Sequence, residues 1–146
     1  MLRKMESVDL DRLMEIWLAA NLQAHSFVAA DYWQSNLALV RQMLPQAEVY
    51  VYAEDSSQEI LGFVGVDGDY IAGIFVDFRA RSQGIGKKLL DFIKAAHTCL
   101  TLRVYAQNER AVQFYQREKF QVVAKSVDTE TGVLELQMQW LAENLK

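Results

Sequence analysis

One hexapeptide organises this sequence of 146 residues: Arg81-Ser82-Gln83-Gly84-Ile85-Gly86. It follows an apolar, strand-like run from Ile71 to Val76 and precedes an amphipathic, helix-like run from Lys87 to His97. A glycine-rich turn from a strand into a helix gathers free backbone N–H groups at the positive end of the helix dipole. We therefore predict an anion site that grips a diphosphate. Similar spacings also occur in turns that only end a strand, so the rest of the chain must decide.

Composition and charge predict one compact domain over residues 1–146. The sequence is 51% hydrophobic and 23% charged, and a chain of this length buries about two thirds of its unfolded surface. The net charge of -4 disfavours nucleic acid as a partner, because a nucleic acid attracts a basic face. A local basic cluster nevertheless falls on the glycine turn: Arg79, Arg81, Lys87 and Lys88.

The cysteine content and the hydropathy of the sequence indicate the cellular compartment in which the protein works. Cys99 is the single cysteine, so it has no internal disulfide partner, and no metal-ligand spacing surrounds it. Residues 1–4 do not lead into a signal-peptide core, and no apolar run is long enough to span a bilayer. We expect a cytoplasmic protein with no metal and no membrane partner. The oligomeric state, monomer or homodimer, stays open.

Hydrophobic periodicity predicts an α/β fold with a mixed sheet of six or seven strands. Apolar residues recur at helical spacing in two early segments, Leu10 to Leu18 and Trp33 to Leu44. Three antiparallel strands follow, and a helix with a buried stripe leads into a parallel strand, which makes a βαβ unit. Asn108 caps a fourth helix, and a hairpin ends the chain. The predicted strands after residue 45 are Glu48–Ala53, Ile60–Val66, Tyr70–Val76, Leu100–Tyr105, Phe120–Ala124 and Val133–Leu141, and the predicted stripe is Ile85, Leu89, Phe92, Ile93 and Ala96.

Two motifs carry a resemblance to a known family. The hexapeptide matches the signature of arginine or glutamine, two residues, glycine, one residue, and glycine or alanine of the GNAT superfamily of acyl-CoA-dependent N-acetyltransferases. A second segment resembles the later motif of that family through Asn108, Ala111, Phe114-Tyr115 and Phe120. The motifs stand one helix and one strand apart, as in the family, and the order of elements fits over essentially the whole chain. The resemblance implies a GNAT-like, mostly antiparallel sheet with four helices.

The resemblance also implies a coenzyme site for acetyl-CoA. The backbone N–H groups of residues 81–86 would hold the diphosphate, with Lys87 adding to the positive field. The pantetheine arm would pair with the strand ending at Val76, where Gly73 is consistent with a bulge, and bond to Asn108. Tyr115 would donate a proton to the leaving thiolate, although a tyrosine there can also be a simple core residue. Backbone N–H groups near Ile74, Phe75 and Val76 would polarise the thioester oxygen.

The acceptor implied by the resemblance is a primary amine: a protein N-terminus, a lysine or a small amine. Some family branches have a glutamate in the strand before the asparagine motif, where this chain has Arg103. Asp69, Tyr70 and His25 are alternative candidates for the group that accepts the proton of the acceptor amine, and the sequence does not rank them. The break between the first two helices borders the acceptor site in this fold, which makes His25, Phe27 and Tyr32 candidate substrate contacts as well as candidate packing or loop residues.

Two other functions remain open at this stage. The first is a degenerate family member that binds an acyl-CoA as a sensor without transferring the acyl group; Arg103 favours it, whereas Asn108 and Tyr115 favour the enzyme. The second is a nucleotide-binding domain of another family. One further departure is Lys119, which stands where the family usually has glycine, at a predicted helix C-terminus.

Overall fold

The computed structural model describes residues 1–143, and within them it has seven strands and four α-helices. The predicted α/β class with a mixed, mostly antiparallel sheet is confirmed. Three short 3-10 turns connect some of the elements, at Ser7–Asp9, Leu44–Gln46 and Phe78–Ala80. The main elements are β1 (Leu2–Lys4), α1 (Leu10–Ala24), α2 (Ala30–Met43), β2 (Glu48–Ala53), β3 (Ile60–Asp67), β4 (Tyr70–Val76), α3 (Ile85–Lys94), β5 (Cys99–Tyr105), α4 (Glu109–Arg117), β6 (Gln121–Val127) and β7 (Leu134–Leu141).

The sheet separates in its middle. Its strand order is β1-β2-β3-β4-β5-β7-β6, and β4 and β5 are parallel, as the βαβ pattern predicts. These two strands pair only at Tyr70 with Thr101 and at Ile71 with Leu102. The rest of β4 diverges from β5, and residues 73–76 pair with β3 alone. The divergence leaves a gap at the carboxyl ends of the two strands.

A β-bulge bends β4 at the start of this gap. Gly65 of β3 pairs with Gly73, whereas the next residue, Val66, pairs with Ile71. Ala72 is therefore the extra residue, and a bulge next to Gly73 is confirmed. The ring of Phe75 lies over the backbone of Gly73 and occupies the space that a side chain there would need. It also packs against Phe63, with ring centroids 5.1 Å apart.

Two hydrophobic clusters fill the two faces of the sheet. One lies under α3 and α4, and the other lies under α1 and α2. The predicted stripe of α3 is partly wrong: Phe92 is 41% exposed and packs at its edge against Tyr50, and Ala96 is exposed. The helix begins at Ile85 and ends at Lys94, so Ala96 lies beyond it. The face that α3 turns to the sheet consists of Ile85, Leu89, Leu90 and Ile93, and Phe92 lies at the flank of this face.

Lys119, two residues beyond the last residue of α4, adopts a left-handed conformation with φ of 74°. A side chain at such a position costs roughly 1 kcal/mol, since its Cβ crowds the following carbonyl oxygen. We expect Lys119→Gly to raise the free energy of unfolding by less than this amount. The relief of strain stabilises the folded state, but the greater chain entropy of glycine in the unfolded state offsets part of the gain. Chemical denaturation measures the change. Lys119→Ala keeps the Cβ and is the matched control, so equal stability of the two variants contradicts the prediction.

Candidate coenzyme and acceptor sites

A cavity of about 430 Å³ lies in the gap between β4 and β5. Its walls come from the end of β4, the start of α3, the face of α4 and the last turns of α1. The structure brings nearly all the predicted coenzyme residues together here, whereas Gln83 is exposed and outside the lining. The predicted residues in the lining are Ile74, Phe75, Val76, Arg81, Ser82, Gly84, Ile85, Gly86, Lys87, Asn108 and Tyr115.

The turn before α3 presents a row of unpaired backbone donors. Within residues 1–143, the N–H groups of residues 82–87 find no protein acceptor, and the bond from the Lys88 N–H to the Gly84 carbonyl is the first of the helix. Ser82 and Gly84 are left-handed, with φ of 67° and 77°, a backbone shape that turns successive N–H groups toward one point. The position of a Cβ at Gly84 has no atom within 4 Å. This open cradle fits a diphosphate.

Three arginines add positive charge to the cavity wall: Arg81, Arg110 and Arg117. None of them has an ion-pair partner among the described residues. The pKa of Arg81 is lowered, first by burial and then by the charge of Arg110, which lines the same cavity. Arg110 and Arg117 were not among the predicted site residues, although their spacing of seven residues on α4 places them on one helix face.

The predicted basic cluster is only partly available to a ligand. Arg79 pairs with Asp77 at 3.0 Å, and Lys87 pairs with Glu118 at 3.1 Å. Lys88 lies over the ring of Tyr52. Asp77, two residues before Arg79, and Glu118, which is distant in sequence from Lys87, thus offset much of the positive charge of the turn, and the arginines of α4 replace it.

Tyr115 lies between the core and the cavity. Its residue is only 8% exposed, and its ring packs against Phe114 and Phe120 at 5.2 and 5.5 Å. Burial, with a smaller effect of Tyr70, raises the pKa of Tyr115 well above its usual value. The phenol is therefore protonated at neutral pH, and it makes no hydrogen bond to any residue in the described range.

Asn108 begins α4 and connects it to the other side of the gap. Its Oδ1 accepts a hydrogen bond from the Ala111 N–H at 3.3 Å, which confirms the predicted cap. Its Nδ2 lies 3.0 Å from Nε2 of His25, which follows α1. Nδ1 of His25 in turn lies 3.1 Å from Oδ1 of Asn21, and Nδ2 of Asn21 donates to the Trp17 carbonyl.

An aromatic cluster on the side of α1 and α2 adjoins Asn108 through His25. His25 stacks on Trp33 at 5.3 Å and meets Phe27 edge-on at 5.6 Å. Tyr32 packs against the same tryptophan. Tyr105, which the sequence analysis did not single out, completes the cluster at 5.1 Å from His25. The predicted substrate residues of the helix break therefore lie together.

Carboxylates from the β6–β7 hairpin join this cluster. The hydroxyl of Tyr32 donates to Glu130 at 2.7 Å, and that of Tyr105 donates to Asp128 at 2.8 Å. Burial, followed by the bond to Asp128, raises the pKa of Tyr105 to about 12. The pKa of Glu135, opposite Tyr105 on β7, is raised by burial and by Asp128. The acidic turn between two predicted strands was the available signal for these residues.

The other predicted acceptor residues lie elsewhere. Asp69 and Tyr70 line a second cavity, of about 1020 Å³, together with Gly73 and Phe63. Phe75 lines both cavities, so its ring lies between them. Arg103 is exposed on β5 opposite Gln137. Burial raises the pKa of Tyr70 and of Glu135, and the positive charge of Arg103 offsets part of this rise. Of the six predicted acceptor residues, three lie in the aromatic cluster and two line the second cavity, whereas Arg103 belongs to neither.

Fold, cradle and gap together define an acyl-CoA-dependent acetyltransferase. The family model described as "Acetyltransferase (GNAT) domain" matches residues 21–142. The chain belongs to the GNAT family and is an N-acetyltransferase.

Named relatives agree with this assignment. The chain is 34% identical over 142 residues to the peptidyl-lysine N-acetyltransferase YiaC of Escherichia coli K12, a match that covers 96% of each chain. It is 31% identical over 122 residues to the peptidyl-lysine N-acetyltransferase YjaB of the same strain, with 84% of this chain and 82% of YjaB covered.

Solved structures share the fold. The solution structure of apo YjaB from Escherichia coli superposes with a TM-score of 0.87 at 28% identity and 97% coverage of both chains. An aminoglycoside 6'-N-acetyltransferase complexed with coenzyme A superposes with a TM-score of 0.73 over 97% of this chain and 96% of that one. At 12% identity the second likeness concerns the fold alone.

The cradle can be tested with one glycine. Gly84→Glu places a side chain and a negative charge in the row of free N–H groups, and we expect it to abolish binding of coenzyme A. Gly132→Glu is the control, because Gly132 has a similar φ of 73° and equally open surroundings in the β6–β7 hairpin. Calorimetry with coenzyme A measures both. Wild-type affinity in the Gly84 variant would remove the diphosphate from this turn.

The buried His25 predicts a pH dependence of stability. Burial lowers its pKa from 6.5 to about 4, so the unfolded chain gains a proton at higher pH than the folded one. Stability should therefore fall as the pH decreases from about 6.5 to about 4, on the order of 1–2 kcal/mol after solvent screening. Denaturation at several pH values measures the slope. In His25→Phe this part of the slope disappears, and an unchanged slope contradicts the prediction.

Proposed function

We propose that this N-acetyltransferase transfers the acetyl group of acetyl-CoA to the ε-amine of lysine residues in proteins. The observation that carries the choice of lysine is the group of carboxylates beside the gap. Tyr32 and Tyr105 hold Glu130 and Asp128 in place by hydrogen bonds. A cationic side chain suits this acidic and aromatic surface, through charge attraction and cation–π contacts. Relatives named as peptidyl-lysine acetyltransferases support the same class of acceptor.

The coenzyme would be held from both sides of the gap. The free N–H groups of residues 82–87 would bind the diphosphate, and Arg81, Arg110 and Arg117 would neutralise the phosphate charge. Asn108 has one amide hydrogen left after its bond to His25, and this hydrogen is available to the pantetheine arm. The diverging half of β4, from Gly73 to Val76, lacks a partner on the side of β5 and can pair with the arm as an added strand.

The reaction that this arrangement supports is direct attack. The neutral amine nitrogen forms a bond to the thioester carbon while backbone N–H groups near Phe75 stabilise the oxygen. Collapse of the tetrahedral intermediate breaks the bond between carbon and sulfur. Tyr115 donates a hydrogen bond to the thiolate that leaves and passes a proton to it. The nitrogen loses its extra proton to a nearby base, and exchange with solvent removes this proton from the base and restores that of Tyr115, so the net products are an amide and free coenzyme A.

Glu135 is our candidate for that base. It lies opposite Tyr105 on β7, half-buried, and its raised pKa makes it a better proton acceptor than an exposed glutamate. The acidic side chain that Arg103 replaces on β5 would then be supplied by the neighbouring strand. His25 is a poorer candidate, because both of its ring nitrogens already have partners.

We also propose that the protein works in the cytoplasm. Cys99 is a free, half-buried thiol, which suits a reducing compartment. Among residues 1–143 no helix has the length and apolar character that crossing a membrane requires.

Tyr115→Phe tests the proton donor. The variant should keep its affinity for coenzyme A and lose roughly 100-fold in turnover, because the thiolate then leaves without a donor. Thiol release measures turnover, and calorimetry measures affinity. Tyr52→Phe removes a phenol outside the cavity and should retain wild-type rates. A Tyr115→Phe enzyme with the wild-type rate would make Tyr115 only a core residue.

Peptides with a blocked N-terminus test the lysine assignment. We expect thiol release and acetyl-lysine, detected by mass spectrometry, from a lysine peptide and none from the same peptide with the lysine replaced by norleucine. Turnover limited to free N-terminal or small amines would overturn the choice of lysine. Tight binding of acetyl-CoA without turnover on any acceptor would favour the non-catalytic sensor.

The acidic surface has its own test. Asp128→Asn with Glu130→Gln should raise the KM for a lysine peptide several-fold and leave the affinity for coenzyme A unchanged, since the charge attraction concerns the acceptor alone. Glu54→Gln, in the turn between β2 and β3, removes a carboxylate from outside the site and serves as the control. An unchanged KM in the double variant contradicts the placement of the acceptor.

A further inference from the structure

We propose that His25 is a positioning residue for the coenzyme: its Nε2 accepts a hydrogen bond from the amide of Asn108 and fixes the orientation in which Asn108 meets the pantetheine arm. The inference deepens the proposed function and rests on it. It assigns to His25 neither proton transfer nor contact with the acceptor.

A chain of four hydrogen bonds connects α1 to α4, and it determines which side-chain atoms of Asn21, His25 and Asn108 donate and which accept. At one end Nδ2 of Asn21 donates to the Trp17 carbonyl at 2.9 Å, and at the other the Ala111 N–H donates to Oδ1 of Asn108 at 3.3 Å. A backbone carbonyl can only accept, and a backbone N–H can only donate. Both asparagine amides therefore have one possible orientation.

The histidine between the two amides then has one possible tautomer. Oδ1 of Asn21 must accept from the Nδ1–H of His25, at 3.1 Å. Nε2 of His25 carries no proton and accepts from Nδ2 of Asn108, at 3.0 Å. A charged imidazolium would place an Nε2–H against the amide hydrogens of Asn108, so the arrangement requires neutral His25.

Packing holds the imidazole where this chain needs it. The ring stacks on Trp33 and meets Phe27 and Tyr105 edge-on. Asn21 is only 4% exposed, so its amide oxygen would lose its partner in a buried place if the histidine were absent, which costs more than an ordinary surface hydrogen bond. The aromatic residues packed around His25 thus hold its imidazole in place, and through it the amide of Asn108 on the other side of the gap.

The test is a pair of substitutions at His25 read by the affinity for coenzyme A alone. His25→Phe keeps the aromatic packing and removes both hydrogen bonds, whereas His25→Gln keeps an acceptor for Asn108. We expect His25→Phe to weaken binding roughly threefold to tenfold, the range for one neutral hydrogen bond, and His25→Gln to weaken it less. Calorimetry measures the dissociation constants, and circular dichroism verifies that each variant is folded.

A double-mutant cycle distinguishes positioning from packing. If His25 acts through Asn108, His25→Phe has no further effect on affinity in an Asn108→Ala background. Independent, additive losses would overturn the proposal. So would a wild-type affinity in His25→Phe, provided that the wild-type protein binds coenzyme A; if the wild-type protein itself does not bind, it is the proposed function that fails.

Nitrogen-15 NMR of the imidazole gives a second readout, which packing alone would not predict. In the wild-type protein at neutral pH we expect His25 to appear as the Nδ1–H tautomer with an unprotonated Nε2. The opposite tautomer, or an imidazolium, would contradict the hydrogen-bond chain. The spectrum of Asn21→Leu should lose the strong preference for the Nδ1–H form, because the acceptor that selects it is then missing.

Discussion

The separation of β4 from β5 is the constraint on which the rest of this structure depends. Two parallel strands normally continue side by side, but here pairing stops after Ile71 and Leu102. The bulge at Ala72 turns β4 away and leaves one of its edges without a protein partner. A gap of this kind exposes unpaired backbone groups, which is costly unless something binds to them. The cavity between β4 and β5 is thus a direct result of an incomplete sheet.

Charge divides this gap into two sides. The arginines of α4 and the free N–H groups before α3 make the cavity wall positive, while the carboxylates of the β6–β7 hairpin place negative charge beside the aromatic cluster of Tyr32 and Tyr105. An anionic coenzyme and a cationic acceptor would each be attracted to its own side and repelled from the other. The overall charge of -4 conceals this arrangement, because it is the sum of two opposite local fields.

Local features of the sequence could predict most of the fold and most of the residues that line the cavity between β4 and β5. The periodicity of β2 to β4, the cap at Asn108 and the glycine turn each depend on neighbouring residues, and all three agree with the structure. Side-chain partners distant in sequence could not be predicted in this way. The pairing of Lys87 with Glu118 and the bond between His25 and Asn108 join residues 31 and 83 positions apart, and no local pattern records them. Phe92 shows a related limit of sequence patterns, because the spacing of an apolar residue does not distinguish the flank of a helix from its buried face.

The link from Trp17 to Ala111 makes the two halves of the site dependent on each other. The connection between α1 and α2 carries His25 and Phe27, which would border the acceptor, and the imidazole of the same His25 contacts the amide of Asn108. An acceptor that moved this segment would therefore also move the amide next to the coenzyme. Coupling of this kind must be reciprocal in free energy, so a bound coenzyme that immobilises Asn108 would in turn order the surface on which the acceptor binds. Because the hydrogen-bond chain tolerates one tautomer only, this coupling is strongest while His25 is neutral, which its burial among Trp33 and Tyr105 ensures at physiological pH.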